Sequence, residues 1–426
     1  MPFHKTRIRI LLNVGGFLLA AAISPTVAQT LDYTGSITSV APQTAISGKL
    51  ATRTEIVADR GLAAMLTPGS EEALAGAIAM YEEIVAGGGW PQVTGKKLSK
   101  GAKGAHVETL RQRLVAEGYL PFDSLYAEAA DSYDDEIVAA VKAFQTNHGV
   151  APTGTVGERT LAELNITAEA RLFTLHENWP RISAYLQGLG TRSVLANIPS
   201  AQLETVEGGK VFSRHNIVAG KLDRPSPTLM SRVSNITFNP YWKAPASIVE
   251  RDIIPKYLDD PTYLEQMNIR VFDGVDGPEI DPSTVDWLIT PADRYFFRQE
   301  PGEHNALATV KINFPNTHMV YMHDTPHREL FDGNARYESS GCIRIDQVST
   351  VVNWIIDSQD GFNDTRYEML TASEQPYDLP VRNPPDVRIM YLTAWATEDG
   401  AVNFRPDIYG LDGTGFTLGQ PEPRSF

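Results

Sequence analysis

The chain has 426 residues, 42% of them hydrophobic and 21% charged, with one cysteine and a formal net charge of −15. That composition describes an ordinary globular protein of two to four domains. The acidic balance argues against nucleic acid or an anionic membrane surface as partner, and one cysteine excludes an internal disulfide.

Residues 1–28 have the pattern of a secretory signal. Lys5, Arg7 and Arg9 precede an apolar run from Ile10 to Ile23, and Thr26-Val27-Ala28 offers small residues for cleavage. The run is short and holds Asn13 and two glycines, which favours cleavage over retention as an anchor. Loss of three cations and no acids leaves the mature chain more acidic still. Residues 29–97 are expected to form a linker and a helical scaffold segment. Helical character begins at Glu55, Pro68-Gly69-Ser70 interrupts it, and Leu74, Ile78 and Tyr81 mark an apolar stripe that stops at Gly87-Gly88-Gly89.

Residues 98–165 predict a three-helix unit, with Val107, Leu110 and Leu114 on one helix and Ile137, Val141 and Phe144 on the next. A short third helix carries Thr160, Leu161 and Leu164. The phrases LRQRLVAEGYL and VKAFQTNHGVAPTGTVGERTLAELN resemble the peptidoglycan-binding domain. The resemblance implies a cell-wall ligand; the alternative is a small bundle that only packs on its neighbour. His148, at a helix end, reads as a capping or surface residue. Residues 166–191 form a bridging helix with Trp179, Ile182, Tyr185 and Leu186 as its apolar anchors.

From Arg192 the texture becomes β-like. Val194 to Ile198, Gln202 to Val206 and Lys210 to Ala219 read as strands, with a Gly208-Gly209 hairpin between the last two. Asn239-Pro240-Tyr241-Trp242 is either a substrate wall or core. Residues 246–300 carry charges and helix signals and read as an insertion between strands. Tyr321 and His323 share one strand face, as do Cys342 and Arg344. Between them the residues are loop-like. Ser339-Ser340-Gly341-Cys342 reads as a tight turn in which Gly341 permits a sharp bend, and the N–H groups near Gly341 and Cys342 can face an oxyanion. A thiol needs a base to become a good nucleophile at neutral pH, and His323 is the candidate. Arg344 has the geometry to hold a carboxylate. His318, His323 and His327 raise a zinc site, which Pro326 and the strand-like setting of His318 argue against. Val348 to Ile356 predicts a helix, Pro376 to Pro385 a loop, and residues 411–426 a polar tail.

His323 and the run SSGCIRI resemble the L,D-transpeptidase catalytic domain of the YkuD type. A histidine that usually precedes the glycine is Ser340 here. NIPSAQLETVEGGK, ITFNPYWKAPASIVERDIIPKYLDDPTYL, NALATVKINFPN and VYMHDTP further resemble its large capped, YcbB-like Gram-negative branch. The resemblance implies an α+β multidomain protein: a mostly antiparallel β catalytic domain over 192–410 with a helical cap insertion at about 246–300, a small three-helix peptidoglycan-binding-like domain, and a helical scaffold. It implies a periplasmic cysteine acyltransferase. Cys342 would be the nucleophile, His323 the base and Gly341 part of the oxyanion site. Arg344, Ser340, Ser339 and Tyr321 would face substrate. Asp324 gets no triad role, because the family orients its base through a backbone carbonyl. Peptidoglycan stem peptides are the implied partners, giving 3→3 cross-links by default with 1→3 open. Carbapenems are implied inhibitors, and neither cofactor nor metal is implied. The alternatives are a carboxypeptidase or wall-to-protein attachment through the same thioester, and a wall-binding protein without catalysis.

Overall fold

The structure is a computed structural model describing residues 63–422, apart from positions 96, 334 and 358, together with the backbone of Glu55–Ile56. The signal-like segment and most of the linker lie outside the described residues.

The fold is a mixed α+β architecture around one curled sheet. In order across the sheet run Tyr377–Pro380, Asn235–Phe238, Val310–Asn313, Met322–His323, Ile343–Ile345, Lys210–Gly220, Gln202–Glu207, Arg192–Asn197, Asp386–Met390 and Leu229–Arg232. Most pairings are antiparallel. Met322–His323 runs parallel to Ile343–Ile345, and Asp386–Met390 runs parallel to Arg192–Asn197. The core beneath the sheet takes alternate residues such as Ile236, Ile312, Met322, Ile343 and Ile345, and the helix Val348–Ile356 packs on it with Val351, Val352 and Ile355. That leaves the other face of the central strands for polar side chains.

Three segments depart from the sequence expectation. Glu55–Ile56 is a strand paired with Arg214 and Ser213, and the helix starts only at Ser70, after Pro68-Gly69. Tyr377–Pro380, inside the supposed Pro-rich loop, is a strand; it lies at the sheet edge, where a proline's missing N–H costs nothing. The polar tail is docked through Gly419–Gln420. Arg181 donates to the carbonyls of Leu411 and Phe416 and pairs with Asp412 at 2.6 Å, and Gly419 bridges to Thr228.

The helical unit has helices Ala105–Ala116, Asp135–Asn147 and Glu158–Leu164 around its own core. A buried polar cluster joins it to the rest. Glu117 accepts from Tyr81 and pairs with Arg113 at 2.8 Å, and the Arg113 guanidinium stacks 3.7 Å from the Trp90 ring centroid. His148 caps its helix as expected but is 1% exposed, stacked between Phe144 and Phe404, and burial holds its imidazole neutral. It is therefore a joint between the helical unit and the hairpin of Ala394–Ala396 and Val402–Phe404, not a surface residue. Trp179 is also corrected: it is exposed, one position off the buried stripe of the helix Ala168–Leu186.

Residues 242–299 stand as a lobe with its own three-stranded sheet, Trp242–Lys243, Phe296–Gln299 and Ile269–Phe272, and its own core. Its helical turns run Ala246–Ile248, Val249–Ile253 with π geometry, and Ile254–Asp259.

Candidate active site

Strand register brings the site together. Lys311 pairs with His323, and His323 with Arg344. The Ile343 N–H donates to the Tyr321 carbonyl, one step back along the same parallel pair, so Tyr321 lies beside Cys342. Laterally paired residues share a face. Lys311, Tyr321, His323, Cys342 and Arg344 thus stand on one face, opposite the core residues Ile312, Met322 and Ile343.

His323 is buried, and its Nδ1 donates to the carbonyl of Asp324 at 2.5 Å. That bond leaves Nε2 as the nitrogen with a lone pair. Burial, then the charge of Arg344, push its pKa down to about 3, so the ring is neutral at pH 7. The Asp324 carboxylate is engaged elsewhere, by Thr309, by the Thr325 N–H and by Arg328 at 2.6 Å.

Cys342 is partly buried, and burial pushes its thiol up. Hydrogen bonds from Tyr321 and the charges of Lys311 and Arg344 oppose that shift. Tyr321 links the members: its ring meets His323 edge-on at 5.6 Å, and Lys311 Nζ sits 4.2 Å from its centroid. Lys311 escaped the sequence reading. Its signal was the alternation with Val310 and Ile312, which puts a lysine on the polar face of a central strand.

The turn before Cys342 is rigid. Gly341 has φ +110°, a conformation suited to glycine. Ser339 corrects an expectation: it is 2% exposed and faces inward, donating to the Cys342 carbonyl at 2.6 Å and accepting from the Gly341 N–H at 3.2 Å. Its hydroxyl is consumed in shaping the turn and is not available to substrate. The same bond occupies the Gly341 N–H, which takes that group out of the expected oxyanion site. The Cys342 N–H has no acceptor among the described residues. Ser340 is exposed and accepts from Arg224 at 2.9 Å. Arg224 also grips Asp252 of the inserted lobe, at 2.5 and 3.1 Å, so one guanidinium ties lobe and turn together.

A cavity of about 190 Å³ lies between the lobe and the catalytic face, with Trp242, Lys256, Tyr263 and Gln299 on one side and Pro326 and Arg344 on the other. Arg344 Nε is buried without a partner. Of the open motif Asn239 to Trp242, Asn239 is core, donating to backbone carbonyls of Leu370 and Gln375, while Trp242 faces the cavity. A second cavity of about 350 Å³, lined by Glu108, Gln112 and Tyr126, lies in the helical unit, far in sequence from these groups. Among the described residues no group of three or more His, Cys, Asp or Glu side chains is placed to hold a metal ion. His327 is exposed beside Glu329.

Residues 191–361 match the L,D-transpeptidase catalytic domain, YkuD, and residues 103–164 match the putative peptidoglycan binding domain. A putative L,D-transpeptidase of Haemophilus influenzae is 34% identical over 220 residues, 51% of this chain and 44% of that protein. The N-acetylmuramoyl-L-alanine amidase CwlL of Bacillus licheniformis is 46% identical over 68 residues, 16% of this chain and 18% of that protein. The chain thus spans less than half the length of the curated relatives it matches. Among solved structures, an L,D-transpeptidase from Xylanimonas cellulosilytica is 16% identical and covers 70% of this chain and 98% of its own, with a TM-score of 0.22, too low to bear on the fold. The segment similar to an L,D-transpeptidase catalytic domain is thus preceded in the chain by one similar to a peptidoglycan-binding domain.

Proposed function

We propose that this protein is a periplasmic L,D-transpeptidase of the large capped Gram-negative branch, cross-linking peptidoglycan stem peptides through a thioester on Cys342. The observation that carries the reading is the shared strand face of His323, Tyr321, Cys342 and Arg344, with His323 Nδ1 tied to a backbone carbonyl and the Cys342 N–H open. The separate lobe of residues 242–299 supports the capped branch. The signal-like residues 1–28 support export. Among the described residues no helix is long and apolar enough to cross a membrane.

His323 Nε2 takes the Cys342 proton as sulfur attacks a peptide carbonyl of the donor stem. The new C–S bond puts negative charge on the carbonyl oxygen, to which the Cys342 N–H donates a hydrogen bond. The C–N bond then breaks, and the leaving amine takes the proton from Nε2. An acceptor amine, from a diaminopimelate-type side chain, attacks the thioester carbonyl and gives a proton to Nε2. Collapse forms the new amide and returns the proton to sulfur. Arg344, lining the cavity with an unpartnered Nε, holds a stem carboxylate. The donor bond after the third stem residue gives 3→3 links, and the bond after the first gives 1→3 links.

The test is product analysis after incubation with disaccharide-tetrapeptide. Cross-linked dimers from the wild type, and none from folded Cys342→Ala, are expected. Shortened monomers alone would make the protein a carboxypeptidase, and dimers from Cys342→Ala would refute the thioester.

A further inference from the structure

We propose that Ser226 is a positioning residue for the nucleophile turn: its buried hydroxyl fixes the Gly341–Cys342 peptide and thereby aims the Cys342 N–H at the reacting carbonyl oxygen. The inference rests on the reading of Cys342 as the acyl-carrying nucleophile.

Ser226 is 0% exposed and 116 positions away from the cysteine in sequence. Its Oγ–H donates to the Gly341 carbonyl at 2.8 Å, and the same oxygen accepts from the Gly220 N–H at 2.9 Å. Both partners are backbone groups, so the direction of each bond is fixed. The Gly341 carbonyl and the Cys342 N–H belong to one trans peptide plane and point in opposite directions. Holding the carbonyl inward therefore holds the N–H outward. That N–H is the donor left open in the turn, since Ser339 engages the one at Gly341. Gly341 at φ +110° needs such a restraint, because glycine samples many orientations when nothing holds it.

Ser226 is itself held from two sides. Its N–H donates to the Tyr409 hydroxyl at 3.1 Å, and that hydroxyl donates to the Gly220 carbonyl at 2.7 Å. A side chain on Gly220 would lie 2.3 Å from the Arg224 carbonyl oxygen, so only glycine lets the 224–226 turn fold this closely over the strand end. Tyr409 stacks on Tyr391, whose hydroxyl accepts from the Tyr409 N–H at 2.7 Å. The C-terminal segment thus reaches the nucleophile turn through two hydroxyl groups.

The test compares two reactions of Cys342 in the full chain. Acylation by disaccharide-tetrapeptide, followed by intact mass, passes through an oxyanion; alkylation by iodoacetamide is a direct displacement and forms none. Ser226→Ala is expected to slow acylation roughly tenfold to a hundredfold, short of the 10²–10³ seen for outright loss of a donor, with half-saturation unchanged. Alkylation should stay within about twofold of wild type. A parallel fall in both rates, or no fall in acylation, would overturn the proposal. Should Ser226→Ala fail to fold, Tyr409→Phe keeps the stacked ring and removes the hydroxyl behind Ser226. It should show the same split at about threefold to tenfold, and no split would overturn the proposal. A wild type that is alkylated but never acylated would instead refute the acyl-carrier reading beneath it.

Discussion

At the scale of the residue, the site rests as a neutral pair. Burial opposes charge on both partners: it pushes the Cys342 thiol above its ordinary value and pushes His323 down to about 3. Lys311 and Arg344 soften the first effect, but the charge of Arg344 deepens the second. The sign then follows for pH. His323 stays an unprotonated base throughout the neutral range. Cys342 is a thiol there and ionises only as pH rises past its raised value. Iodoacetamide reacts with the thiolate, so its rate at Cys342 should be below that of a small free thiol at pH 7 and should climb between about pH 6 and pH 10. A fast, flat rate across that range would mean a preformed thiolate–imidazolium pair. Tyr321 and Lys311 would then stabilise the anion far more than the buried setting implies.

At the scale of the element, what could be read from sequence depended on whether the information was local. Helix ends were readable because Gly69 and Gly87 flank Ser70–Ala86, and two central strands because Met322 and Ile343 alternate with polar residues. Trp179 misled, since the buried stripe of its helix is partly polar. Asn178 bonds Thr393 at 2.7 Å and Arg181 pairs with Asp412, partners more than 200 positions away. Ser339 misled for the same reason: a polar residue can be core when the turn itself satisfies it. His148 misled because its ring is buried by stacking between Phe144 and Phe404, the second of them more than 250 positions away. The cluster around Glu117 is the strongest case. Arg113 is 0% exposed, and Glu117→Ala would leave its charge uncompensated. The expected loss is about 3–5 kcal/mol, read as a lower midpoint in urea. A loss under about 1 kcal/mol would mean that water reaches Arg113 in solution.

At the scale of the whole molecule, three parts meet at one turn. The catalytic sheet supplies the face that carries His323 and Arg344. The inserted lobe reaches the turn through Asp252, Arg224 and Ser340, and walls the cavity beside Arg344. The C-terminal segment reaches it through Tyr409 and Ser226. The motif around Cys342 was readable as a short string, and so was the presence of an insertion. The long-range supports were not, because Ser226 and Tyr409 stand in segments with no periodic pattern. The most direct measurement is intact mass of the protein after exposure to disaccharide-tetrapeptide, beside Cys342→Ala. An adduct on the wild type alone is expected, and its mass distinguishes one retained stem residue from three. A folded wild type that gains no mass, with a longer cross-linked substrate as well, would contradict the acyl-enzyme and leave a wall-binding protein.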